Sequence, residues 1–295
     1  MSKLPSSRRG GAGDGVLGPS GFLQTKVMVP RLGLGLLERS VLRERLSAHV
    51  QPTLTLISAP AGFGKTTLLS LWCQSVGEQG RAIAWLSLDQ ADNDPQRFWA
   101  YVVRAFEPKH GNVATHDNQL ASLHQQPLET AVSTLLNTLT GLPHPVTLVL
   151  DDYHVIVEQA IHASLARFVA NLPPTVRVVL ASRTDPPLQL ARLRIRGELM
   201  ELRAADLCLT VDEIGTFVTN TLHVDLPGQV ITALATATEG WIGAIQIAAL
   251  GLRDQSDPAA IVSDLRGSHH HLVEYFAQEV LQHVPSHVQD LLLHT

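Results

Sequence analysis

Residues 54–67, Leu-Thr-Leu-Ile-Ser-Ala-Pro-Ala-Gly-Phe-Gly-Lys-Thr-Thr, set a short apolar run directly before a glycine loop that ends in Lys-Thr. Strand, loop, then helix is the order needed to grip a triphosphate. The apolar run carries the chain to a sheet edge, and the glycines turn backbone N–H groups around an anion. The following helix then aims its positive end at that anion. On this reading Ala61, Gly62, Phe63, Gly64, Lys65, Thr66 and Thr67 contact the nucleotide, with Lys65 as the point charge and Thr66 as a hydroxyl for Mg²⁺. The full phosphate-loop pattern asks for glycine where Ala59 stands, and so small a side chain still lets the turn close.

A second half of the site is expected at residues 146–152, Val-Thr-Leu-Val-Leu-Asp-Asp. A buried strand that ends in carboxylates brings them to the crevice beyond the strand ends, where open α/β sheets bind ligands. Asp151 is the expected Mg²⁺ partner, since magnesium takes hard oxygen ligands. Asp152 either polarises the attacking water or caps the following turn; both roles stay open. A third strand, 176–181, runs into Ser182-Arg183. Arg183 either reaches a γ-phosphate or is a solvated residue leading into a turn.

The alternation continues along the chain. Ala82 to Leu88 reads as a strand, Asp94-Pro95 as a helix start, 128–139 and 158–172 as helices, and 199–202 as a last strand. Such alternation predicts a parallel sheet flanked by helices. Polar residues 109–126 read as a loop or a poorly packed helix. After Ala204 the strand pattern stops, and Thr210-Val-Asp-Glu213 opens a helix with a capping box. Helices are expected over 229–238, 241–253, 272–283 and 285–293. The resulting division is a disordered leader over 1–21, a nucleotide-binding domain over 22–203, a smaller all-α domain over 204–255, and the start of a further domain over 256–295.

Composition narrows the classes. A net charge of −5 offers no overall basic field for nucleic acid. Cys73 and Cys208 lie far apart, without disulfide or zinc spacing, and no stretch reaches the length of a membrane span. Cytoplasm is the expected location. His269 to His271 read as a polar loop rather than a metal site, and Phe98, Trp99 and Tyr101 as core. Arg192, Arg194 and Arg196 form a basic stripe, either a solvated face or an anion contact.

Six segments taken together carry a resemblance. They are 25–31 (Thr-Lys-Val-Met-Val-Pro-Arg), the 58–67 loop, 92–99 (Asp-Asn-Asp-Pro-Gln-Arg-Phe-Trp), 148–154 (Leu-Val-Leu-Asp-Asp-Tyr-His), 180–187 (Leu-Ala-Ser-Arg-Thr-Asp-Pro-Pro) and 238–241 (Thr-Glu-Gly-Trp). In this order they resemble the ATPase module of MalT-type, large LuxR-family regulators, which belong to the STAND class of signal-transduction NTPases. The resemblance implies ATP or ADP at the Lys65 loop, Mg²⁺ at Asp151, a sensing role for Arg183, adenine-side contacts near Glu38-Arg39, and Gly240-Trp241 at the start of the helix that packs behind the nucleotide, in the helical domain. It also implies that 256–295 begins a winged-helix domain, cut short before the repeat and helix-turn-helix domains of full-length relatives. No recognition helix with a basic flank is found, so DNA binding is not expected of these residues. The expected function is an ATP/ADP-controlled switch with slow hydrolysis that self-associates, with itself or with full-length relatives, when ATP is bound. The alternatives are a non-catalytic nucleotide-dependent interaction module, an ATPase region from a Ser/Thr kinase fusion, or a small-molecule phosphotransferase.

Overall fold

The computed structural model describes residues 22–33, 36–48, 52–78, 81–106 and 127–252. The leader, the 109–126 segment, His269 to His271, the last two expected helices and the winged-helix start lie outside the described residues. After a one-turn 3-10 helix, Gln24–Val27, come α1 (Ser40–Ser47), β1 (Leu54–Ser58), α2 (Lys65–Glu78), β2 (Ala82–Ser87), α3 (Pro95–Phe106) and α4 (Leu128–Thr140). They are followed by β3 (Val146–Asp151), α5 (Gln159–Ala170), β4 (Val176–Ser182), α6 (Leu190–Ile195), β5 (Leu199–Arg203) and α7 (Ala204–Leu207). The all-α part then runs through α8 (Val211–Thr216), a π-type turn (Phe217–Thr221), α9 (Gly228–Thr238) and α10 (Ile242–Leu252).

The strands form one five-stranded parallel sheet in the order β2-β3-β4-β1-β5. The step from β1 to β2 crosses the sheet in one direction, and every later step runs the other way. Right-handed crossovers therefore put α2 on one face and α3 to α6 on the other. The packing follows this rule. Ile57, Ile83, Trp85, Val149, Val179 and Ala181 meet Leu42, Leu46, Leu69 and Trp72 on the first face. Leu54, Leu56, Leu148, Leu150, Val178 and Leu180 meet Phe98, Trp99, Leu135, Leu165 and Phe168 on the second. Both sheet faces are buried, which is why the inner strands β1, β3 and β4 read as largely apolar runs. The expected aromatic core is present: Trp99 packs edge-on against Phe98 and Phe168.

Local signals set the helix starts. Asp94 accepts from the Arg97 N–H at 2.7 Å, with Pro95 in the first helical position of α3. Thr210 and Glu213 close a reciprocal capping box on α8. The lead-in is pinned by charge. Buried Lys26 pairs with fully buried Asp92, lies 3.0 Å from Asp89, and sits 4.7 Å from the Tyr101 ring centroid, while Arg97 reaches Asp92 at 3.2 Å. Helix α6 was not foreseen; its arginines at every second position mask a turn and a half of helix. The all-α part has its own core of Ile214, Phe217, Val218, Val230, Leu234 and Ile245, against which Leu37 of the lead-in packs.

Candidate nucleotide site

The segment after β1 is shaped by two glycines. Gly62 and Gly64 have φ of +75° and +73°, a region that side chains other than glycine's rarely adopt. Lys65, the first residue of α2, turns its buried ammonium back onto its own loop and donates to the carbonyls of Ala59 at 2.7 Å and Pro60 at 2.8 Å. Burial lowers its pKa to about 8, and Arg183 pushes the same way against the opposing pull of Asp152 and Asp151.

Strand β3 delivers Asp151 to the same place. Thr66 donates its hydroxyl to the Asp151 carboxylate at 2.9 Å, so the two residues read from sequence as metal partners are in contact. Asp151 is buried, and desolvation followed by repulsion from Asp152 raises its pKa to about 6, despite the bonds from Thr66 and the Asp152 N–H. Two hard oxygens held side by side suit Mg²⁺. Among the described residues no cluster of three His, Cys, Asp or Glu side chains could hold a metal unaided. A magnesium ion here would take its remaining ligands from phosphate and water, as it commonly does.

Asp152 follows in the left-handed region, at φ +57°, a conformation aspartate tolerates better than most residues. That turn is anchored from below, because Tyr153 is buried and its hydroxyl meets His162 Nδ1 at 2.8 Å. Burial raises the Tyr153 pKa and lowers that of His162, the latter opposed by Glu158. His154 Nδ1 stands 3.8 Å from the Asp152 carboxylate. Arg183, just past β4, completes a cleft of about 200 Å³ lined by Ala61, Gly62, Gly64, Lys65, Thr66, Thr67, Asp152 and Arg183. Phe63 and Asp151 lie beside this lining. Strand β4 sits between β1 and β3, so the arginine emerges between the lysine loop and the acidic strand.

A second pocket, of about 120 Å³, adjoins the first through Gly64 and Thr67. Its walls are apolar, from Leu36 and Leu37 of the lead-in, Phe63, Leu68 and Leu71 by the loop, Leu207 of α7, and Leu209, Phe217 and Ile242 of the all-α part. Arg39 lines it too, but its guanidinium is engaged elsewhere. It donates to the Leu207 carbonyl at 2.6 Å and to the Cys208 carbonyl at 3.0 Å, and pairs with Glu213 at 3.1 Å. Arg39 thus ties the lead-in to α7 and α8 and holds the pocket wall in place. Sequence reasoning missed this wall, because its leucines are ordinary core residues until three separate segments converge.

The all-α part also touches the phosphate loop itself. The Trp241 indole N–H donates to the Ala61 carbonyl at 3.1 Å, and the Gly243 N–H donates to the Gly62 carbonyl at 2.9 Å.

No protein-family model matches the chain. The chain is 34% identical over 266 residues to the HTH-type transcriptional regulator MalT of Serratia proteamaculans (strain 568), an alignment covering 87% of this chain and 29% of that protein. It is 35% identical, with the same coverage, to the MalT regulator of Yersinia enterocolitica. The chain spans under a third of the length of these curated relatives. Among solved structures, the Walker-type ATPase of Pyrococcus abyssi superposes with a TM-score of 0.53 at 13% identity, covering 85% of this chain and 77% of that one. At that identity the likeness speaks for the fold alone. Over that stretch the chain is similar to part of the MalT regulators, and it is built on the P-loop ATPase fold.

Proposed function

We propose that the chain is the ATP-binding module of a regulator and acts as an ATP/ADP-controlled switch with slow hydrolysis. The observation that carries this reading is the Thr66–Asp151 contact at the mouth of the Lys65 loop, with Arg183 on the same cleft. Residues 22–203 form the nucleotide-binding unit and 204–255 the helical unit. The loop from Ala61 to Thr67 surrounds the phosphates, and the adjoining apolar pocket takes the base, with Arg39 holding its wall.

Each side chain has a task that its surroundings suit. Lys65 leaves the carbonyls of Ala59 and Pro60 for the outer phosphates, and its ammonium gains a partner that offsets its burial. Thr66 and Asp151 hold Mg²⁺, which, when bound, neutralises charge on the phosphate chain. Asp152, projecting from its left-handed turn, orients the water and accepts its proton. Arg183 meets the charge of a γ-phosphate and loses that partner when ADP is left. ATP and ADP therefore differ at one end of a cleft whose loop the helical unit touches at Ala61 and Gly62, the order-and-release logic of nucleotide switches.

The ATP-loaded form self-associates, with its own copies or with full-length relatives, and the location is cytoplasmic. Support comes from relatives named as transcriptional regulators, though DNA contact is not assigned to these residues. Binding of Mg·ADP and Mg·ATP, measured by calorimetry on wild type and Lys65→Ala, tests the reading. The variant should lose about tenfold to a hundredfold in affinity, the worth of charge-assisted hydrogen bonds. Equal affinities would end the proposal. Single-turnover hydrolysis separates the switch from a non-catalytic nucleotide-dependent module: Asp152→Asn should slow the first by about a hundredfold or more and leave the second unchanged.

A further inference from the structure

The contact between the helical unit and the phosphate loop is built from an unusual backbone. Glu239 and Gly240 are consecutive residues in the left-handed region, at φ +51° and +77°. Gly240 lies so close to the preceding loop that a Cβ there would stand 2.6 Å from the Leu209 carbonyl oxygen, and its own carbonyl accepts from the Leu209 N–H at 2.8 Å. This turn throws Trp241 across the interface. The ring lies nearly parallel to Phe63, at 27° and 6.2 Å between centroids, and its N–H reaches the Ala61 carbonyl.

Three glycines make room for the contact. A Cβ on Gly62 would meet the indole nitrogen at 2.8 Å, one on Gly64 would meet Ile242 at 3.0 Å, and one on Gly243 would meet the indole ring at 3.2 Å. The Gly243 N–H, in the first turn of α10, is one of the donors a helix start leaves without an internal partner. Here it is satisfied by Gly62. Two successive loop carbonyls are thus fixed from outside by the helical unit. Each belongs to a peptide unit whose other end is the N–H of the next residue, Gly62 or Phe63, on the loop read as the phosphate cradle. A planar peptide cannot turn its carbonyl without turning that N–H. An anion on the N–H also polarises the carbonyl and strengthens the bond it accepts.

The geometry points to Trp241 as a positioning residue for the phosphate loop: by holding the Ala61 carbonyl it sets the direction of the Gly62 N–H. This rests on the reading that the loop holds nucleotide phosphates. It goes beyond that reading by giving phosphate affinity a determinant in the helical unit.

The test compares Mg·ADP with AMP, which fills the base pocket but leaves most of the loop unused, on wild type, Trp241→Phe and Lys65→Ala. Phenylalanine keeps an aromatic ring against Phe63 and removes the N–H together with part of the indole's bulk, a packing loss that AMP and ADP report alike. Trp241→Phe should weaken ADP by about fivefold, the worth of one hydrogen bond, and leave AMP within about twofold. Unchanged ADP affinity, or equal losses for both nucleotides, would overturn the inference and leave the nucleotide reading standing. Wild type that binds neither nucleotide, or Lys65→Ala that binds ADP as well as wild type, would sink the nucleotide reading and this inference with it. A measurement on unaltered protein guards against a variant that fails to fold. The Trp241 indole N–H resonance should shift when Mg·ADP saturates the protein and move little with AMP, and a resonance indifferent to ADP would count against the inference.

Discussion

In the proposed switch, Arg183 is the residue whose position divides ATP from ADP. It stands on the cleft with Lys65 and Asp152, at the end of the strand between theirs. If it meets the γ-phosphate, Arg183→Ala should lower ATP affinity by about tenfold and leave ADP unchanged, since only ATP carries the group it pairs with. Competition titrations on the hydrolysis-blocked Asp152→Asn background read this directly, and equal losses for ATP and ADP would refute it. The phosphate loop, Asp151 and Arg183 were legible in the sequence because each sits within a residue or two of a strand end, and strand ends of a parallel sheet share one crevice. Trp241 was placed behind the nucleotide by the resemblance alone, and its bond to the loop carbonyl was not legible. It lies 180 residues from Ala61 in the chain, and no local pattern announces a contact between two backbone turns. Arg39, expected through the resemblance on the adenine side, lines the apolar pocket while its guanidinium ties segments together through the carbonyls of 206–208.

At the scale of elements, two anchors carry measurable consequences. Asp92 is fully buried between Lys26 and Arg97. Asp92→Asn leaves two cations short of a partner and should cost about 3 kcal/mol in urea unfolding. Asp89→Asn, at the more exposed edge of the same cluster, should cost well under 1 kcal/mol. The turn that carries Asp152 rests on Tyr153 and His162. Burial lowers the His162 pKa, so the unfolded chain takes up this proton before the folded one as pH falls. The stability contributed by the neutral ring is present above the ordinary imidazole value of about 6.5 and drains away below it. Thermal melts from pH 7.5 down to 5 should show a steeper decline for wild type than for His162→Gln, which keeps a hydrogen-bonding partner for Tyr153 and cannot titrate. Parallel slopes would remove His162 from the account. Strands β1, β3 and β4 were plain in the sequence because burial on both faces leaves mostly apolar residues. Helix α6 was obscured, because six residues give too short a period to stand out against Arg192, Arg194 and Arg196.

For the whole molecule, the apolar pocket proposed for the base matters most, since its walls come from the lead-in, the sheet domain and the all-α part together. A ligand there binds only when all three are assembled. Nucleotide at about a hundred times its Kd should add about 2.7 kcal/mol to unfolding, and the two units should then melt in one transition. Calorimetric scans with and without Mg·ADP check this; Lys65→Ala should show no shift. The strand order that builds the molecule could not be read from the chain, because a parallel ladder leaves no local mark of which strand is its neighbour. That order has a mechanical consequence. Strands β1 and β3 share no ladder, so the link across the cleft is a hydroxyl resting on a carboxylate. A hard ion can part those two oxygens at the expense of a single side-chain bond, leaving every rung of the sheet intact. Had the two strands been direct neighbours, opening the same gap would have meant unzipping backbone.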